Sequence, residues 1–249
     1  SQKEIDEAKA MVASRTLQVE ELEKKVAGAQ ELQDQLKRSL EENEMLRQQI
    51  LETAQIAKPA PVEESGVDVG FKFKGRSIVF IIDTSRSMLE EDRMGQVKAG
   101  LKMLLTSMPS NYNVDIVQFP FGVRTPYRAL FGKTQRLNGE IKADAFDFIY
   151  GLKPLGATPT RDVMNYVFKN YKDLTDIVLL TDGEPSQHNS SLKDDIYDLL
   201  GSIRKLNGGT SVQINTIGVG EEVLHDKSGK PYQFLRLLAE QNAGFFVGF

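Results

Sequence analysis

Two rhythms of hydrophobic positions divide this chain. In residues 1–57 Ile5, Val12, Val19 and Val26 stand seven apart, and Ala8 and Leu22 lie three residues after two of them. β-Branched residues repeating in this way at one seam position are the pattern of a coiled coil. Near Gly28 the phase breaks and resumes three residues late, with Leu36, Asn43 and Ile50 at one seam position and Leu32 and Leu46 at the other. A shift of that size is a stammer, which overwinds a coil locally. Arg15 and Ser39 interrupt the seam, while Asn43 within it favours a parallel dimer of fixed register. The segment holds no aromatic residue and no proline, so a long helix here has little with which to bury itself against one globular unit. The expectation is a coiled-coil helix over 1–57 that makes the protein a homodimer.

Beyond residue 57 the rhythm changes to short apolar runs separated by amphipathic stretches. Lys58-Pro59-Ala60-Pro61 stops the helix, because proline disfavours helix at and before its own position. Residues 58–74 read as a linker, in which the alternation Val69-Gly70-Phe71-Lys72-Phe73 predicts a short edge strand or a surface-packed segment. From 75 onward, strands are predicted at 77–82, 113–119, 176–181, 212–219 and 244–249, with an edge strand at 123–130 that tolerates Pro126. Helices are predicted at 93–107, 138–151, 160–170, 190–206 and 231–241, the fourth stopping at Asn207-Gly208-Gly209. Apolar strands alternating with helices imply an α/β fold. The expected architecture is Rossmann-like and doubly wound, a mostly parallel sheet with helices on both faces, preceded by the N-terminal long helix.

Composition narrows the chemistry. The 249 residues include no cysteine and only two histidines, His188 and His225, which excludes disulfides and thiolate metal sites and argues against a histidine-based zinc site. The net charge of −4 is uneven: residues 1–57 carry 8 basic and 12 acidic side chains, and the remainder 23 of each. No basic face is implied, so nucleic acid is not an expected partner. No stretch reaches about 20 apolar residues, the length that a membrane span requires. The chain opens with Ser1 rather than Met, as a fragment would, and a cell-envelope or membrane-anchored setting is favoured over a cytoplasmic one.

Candidate chemistry sits where the apolar runs end. Ile78-Val79-Phe80-Ile81-Ile82 leads directly into Asp83-Thr84-Ser85-Arg86-Ser87, and Ile177-Val178-Leu179-Leu180 leads into Thr181-Asp182-Gly183. Between them, Gly156-Ala157-Thr158-Pro159-Thr160 opens a predicted helix. Open α/β sheets place their sites at the C-terminal ends of such strands. Two carboxylates and three hydroxyls suit a hard cation, Mg²⁺ or Mn²⁺, which takes oxygen ligands. With few anionic ligands the ion stays electrophilic, and one position stays open for a carboxylate from a partner. Capping of the next helix explains Asp83 and the serines but leaves Thr158 and Asp182 without a role. His188, in the loop after Asp182, reads as a surface residue near the rim, and Glu90, Glu91 and Asp92 as a solvated helix start.

Together these residues resemble the von Willebrand factor A domain family, over about residues 75–249, with its metal-ion-dependent adhesion site. The family pattern, Asp-x-Ser-x-Ser, then a Thr in a Gly/Pro loop, then an Asp closing a later strand, falls here on Asp83, Ser85, Ser87, Thr158 and Asp182. Arg86 departs from it, since the family often has Gly there; a cation at that point would weaken metal binding or pair with a partner's carboxylate unless it points into solvent. The resemblance implies a metal-dependent protein-binding and adhesion module, in which the ion accepts an Asp or Glu of a protein ligand. It also implies that capture of the ligand shifts the Asp-x-Ser-x-Ser loop and moves the final helix, 231–241. The plain motif and lack of cysteine look bacterial. The alternative is an accessory subunit of an ATPase-driven, chelatase-type complex. An enzyme is not expected, because metal-assisted hydrolysis needs a general base beside the ion and none is placed there. The chain has no P-loop, Gly218-Val219-Gly220-Glu221 lacks the third glycine of a dinucleotide fingerprint, and Ser85 and Ser87 have no histidine at a suitable offset.

Overall fold

A computed structural model describes residues 72–190 and 192–248, together with the isolated helical positions Arg15, Thr16, Gln18, Val19, Gln30, Lys37 and Met45. The chain divides into two units, Ser1–Lys58 and Pro59–Phe249. The expected coiled-coil seam over 1–57, apart from Arg15 and Val19, lies outside the described residues, as does most of the linker. At the linker's end Lys72 and Phe73 are not in a strand; Phe73 packs edge-on against Tyr112, 6.3 Å between ring centroids, and lies tilted against Phe245 at 6.4 Å.

The second unit is organised around β1 (Ser77–Asp83), all of whose residues are buried. Its continuous β-branched and aromatic run has no polar face, so both of its faces need cover, as in a parallel sheet between helices. Strands β2 (Asn113–Phe119) and β5 (Asp176–Thr181) flank it in parallel, and β6 (Gln213–Gly218) and β7 (Phe246–Gly248) extend the sheet beyond β5. Two short strands, β3 (Arg128–Ala129) and β4 (Gln135–Arg136), lie antiparallel on β2, and the order is β3-β2-β1-β5-β6-β7.

Alternation along β1 splits the core. Ile78, Phe80 and Ile82 face helices α1 (Arg93–Ser107) and α2 (Gly139–Tyr150), meeting Val97, Leu101, Leu105, Phe148 and Ile149. Val79 and Ile81 face the opposite layer of α3 (Thr160–Asn170), α4 (Ile196–Asn207), α5 (Glu221–His225) and α6 (Lys230–Gln241), meeting Val163, Val167, Leu199, Phe234 and Leu235. This is the expected doubly wound, mostly parallel architecture.

The departures are local. The edge strand expected over 123–130 shrinks to Arg128–Ala129, because Gly122 N–H turns back to Thr125 O at 2.9 Å and takes the chain off the sheet before Pro126. Helix α4 starts at Ile196 rather than near 190, since the Asp195 carboxylate accepts from the N–H groups of Tyr197 and Asp198 at 3.0 and 2.8 Å and so caps it. Among the described residues the final strand starts at Phe246 rather than 244. The turn Arg86–Asp92 and helix α5 were not expected.

Candidate metal centre

The strand order turns at β1. The chain passes from β1 to β2 on one side, and β5 later returns on the other. Such a reversal opens a crevice beyond the carboxyl ends of the strands. Asp83 is the last residue of β1, and Asp182 follows β5 directly.

Backbone bonds gather the remaining ligands. The Asp83 carboxylate accepts from Ser85 N–H at 2.7 Å, which curls the motif back on itself, and Ser85 Oγ lies 3.0 Å from Ser87 Oγ. Leu155 N–H donates to Thr84 O at 2.6 Å and Arg86 N–H to Gly156 O at 3.3 Å, so the α2–α3 loop runs beside the motif. Thr158 is clamped to the loop after β5: its N–H donates to Ser186 Oγ and its carbonyl accepts from Ser186 N–H, both at 2.9 Å. Asp83, Ser85, Thr158 and Asp182 are buried, Ser87 is half-buried, and Arg86 is exposed. Two glycines let the loops close. Gly156 has φ +72° and Gly183 φ +91°, and a Cβ on Gly183 would stand 3.0 Å from Pro231 on α6.

The electrostatics of this cluster call for a cation. Burial, and then the nearby charge of Asp182, push the Asp83 carboxyl up to about 7, against stabilising hydrogen bonds from Thr181 and Ser85. Burial also raises Asp182, although the Ser87 hydroxyl and Arg93 act in the opposite direction. Two carboxylates that cannot both ionise comfortably, set among neutral hydroxyls, are well matched to a hard dication, which would offset their repulsion without demanding soft ligands. Among the described residues no group of three His, Cys, Asp or Glu side chains is placed to hold a metal ion, so a site of this kind depends on hydroxyl oxygens to complete its shell. Asp83, Ser85, Ser87, Thr158 and Asp182 are the residues that would hold the ion.

Three contributors escaped the sequence reading. Thr181 Oγ donates to Asp83 Oδ2 and accepts from Gly183 N–H at 3.0 Å, linking the two carboxylate-bearing segments. Ser186 fixes Thr158. Arg93, the first residue of α1, is buried and reaches Asp182 Oδ2 at 3.4 Å. The only hint was that Arg93 closes the acidic trio Glu90-Glu91-Asp92. His188 joins the rim, with Nε2 2.9 Å from Val123 O, so it ties the loop after β5 to the loop after β2.

Residues 76–247 match the von Willebrand factor type A domain. No curated protein matches the chain. Among solved structures, a von Willebrand factor type A protein from Catenulispora acidiphila is 20% identical with a TM-score of 0.54, the match covering 70% of this chain and 38% of that one. The pilus adhesin SpaC of Lactobacillus rhamnosus GG, in an open conformation, is 18% identical with a TM-score of 0.54, over 71% of this chain and 28% of its own. The D319A mutant of the PilB minor pilin of Streptococcus sanguinis is 15% identical with a TM-score of 0.51, over 76% and 59%. This chain thus spans less than two thirds of each of these proteins, and at such identities the likeness is one of fold. With the family match covering most of its length, the chain belongs to the von Willebrand factor type A domain family.

Proposed function

We propose that this protein is a metal-dependent protein-binding module, in which Mg²⁺ or Mn²⁺ held by Asp83, Ser85, Ser87, Thr158 and Asp182 accepts a carboxylate from an Asp or Glu of a protein partner. The observation that carries the reading is the pairing of two buried carboxylates at adjacent strand ends beside the hydroxyls of Ser85, Ser87 and Thr181. With few anionic ligands the ion keeps charge to spend on an outside carboxylate. A fold shared with a pilus adhesin and a minor pilin agrees with a role in adhesion, as analogy. The protein itself is read as a binder with no catalytic activity.

The N-terminal segment is proposed to dimerise the module and so raise avidity without a new contact. Light scattering should give a dimer for 1–249 and a monomer for 75–249; a monomeric full chain at high concentration rejects the coiled coil. For the site, calorimetric titration with Mn²⁺ should give one ion per chain. A captured partner should be released by EDTA, and retention in EDTA means that the ion is structural.

A further inference from the structure

The buried arginine beside the site is unusual on three counts. Arg93 is only 5% exposed, and it stands at the N-terminal start of the 15-residue helix α1, where the helix dipole disfavours a cation. Its guanidinium is shared among three carboxylates, Asp182 at 3.4 Å, Glu91 at 3.3 Å and Glu90 at 3.6 Å, and its buried Nε has no partner. None of these contacts reaches the 2.7–2.9 Å of a strong charge-assisted bond. A place is nevertheless built for it. Gly220, at φ +100°, lies so close that a Cβ there would stand 2.5 Å from Arg93 Nε and 2.8 Å from Cζ. Only glycine leaves this socket open.

We infer that Arg93 is a built-in counter-cation: in the ion-free protein its guanidinium partly neutralises Asp182, and a divalent cation binds in competition with that contact. This deepens the metal-site reading and rests on it. The ion and the guanidinium would draw on the same carboxylate and repel each other in a buried setting. Each therefore weakens the other's hold on Asp182 by the same factor. The displaced guanidinium has somewhere to go, because Glu90 and Glu91 are exposed carboxylates already within reach. Arg93 is thus a positioning residue that keeps the empty site from flying apart and limits the affinity of the filled one.

The test compares wild-type 1–249 with Arg93→Gln and Arg93→Lys by Mn²⁺ calorimetry and by thermal unfolding in EDTA. Arg93→Gln should bind Mn²⁺ at least about tenfold more tightly and unfold several degrees lower without the ion. Arg93→Lys, which keeps the charge, should stay within about threefold of wild type in affinity. If Arg93→Gln does not fold in EDTA, the wild-type protein still answers: the Arg93 Nε–H resonance should shift on saturation with diamagnetic Mg²⁺. Unchanged or weaker Mn²⁺ binding in Arg93→Gln, or an unmoved Nε–H resonance, overturns the inference. Absence of Mn²⁺ binding in the wild type overturns the metal site itself, a separate result.

Discussion

Asp115 and Asp83 lie on adjacent parallel strands, both fully buried, and they solve the same problem in opposite ways. Asp115 is surrounded by neutral donors. Ile116 N–H at 2.7 Å, Phe131 N–H at 3.1 Å and Tyr171 Oη at 2.7 Å all donate to its carboxylate. It ties β2 to the β3–β4 loop and to the end of α3, and although burial raises its carboxyl, no second buried carboxylate faces it. Asp83 also has donors, from Ser85 N–H and Thr181 Oγ, but it faces a second buried carboxylate. A buried acid with a full set of donors is a structural joint, whereas one with donors and a like-charged neighbour asks for an ion.

That contrast can be broken from either side. The largest effect belongs to Asp83→Ala. It should abolish Mn²⁺ binding in calorimetry yet leave thermal unfolding in EDTA cooperative, because the repulsion it removes offsets part of the cost of the donors it orphans. Asp115→Ala should do the reverse. It should lower stability by about 3 kcal/mol in chemical denaturation, by orphaning two buried donors and one half-buried one, and leave Mn²⁺ affinity within about twofold. An Asp115 variant that lost the ion, or an Asp83 variant that kept it, would dissolve the distinction.

Titration sharpens it further. A carboxyl whose folded value is raised from 3.8 to about 7 ionises in the unfolded chain first. Between those values the native state binds the extra proton, so stability is greatest at the acid end and falls as pH rises toward 7, then levels off. The ion-free protein should therefore lose on the order of 2–4 kcal/mol between pH 4 and pH 8, and saturating Mg²⁺ should offset most of that loss at neutral pH. Mn²⁺ affinity should fall below pH 7, as the ion must displace a proton. Denaturation curves at several pH values, with and without the ion, check both. The smallest effect is the control at an exposed pair, Arg236 with Glu240 at 2.7 Å. Arg236→Ala should change stability by no more than about 0.5 kcal/mol and ion binding not at all.

These contrasts also explain what was legible in the sequence. β1 and β5 announce themselves, because a strand covered on both faces leaves an unbroken apolar run, and their ends locate Asp83 and Asp182. Thr158 could be anticipated through its loop composition. Arg93, Thr181 and Ser186 could not, because their contacts join segments far apart in sequence and an Arg, Thr or Ser at those positions looks ordinary. The edge strand expected at 123–130 came out shorter for a similar reason. Its residues alternate suitably, but the turn at Gly122 and the pull of the Asp115 carboxylate on Phe131 N–H decide its path. Helix α4 was placed six residues early, although Asp195 carried the correct N-cap signal. Local propensity identifies elements; the partners of their side chains are settled by the assembled sheet.

The two backbone bonds that zip Leu155 to Thr84 and Gly156 to Arg86 have a consequence for the order of events when the chain folds. They join segments separated by α1, β2, β3, β4 and α2, so the loop closure that creates them is entropically expensive and comes after local structure has formed. An ion that needs both segments has nothing to bind in a half-made molecule. Held as proposed, it would not nucleate folding but latch the finished product. Mn²⁺ should accordingly leave the refolding rate nearly unchanged and slow unfolding, so that in a changing supply of metal the lifetime of the native state, rather than the speed of its making, is what varies.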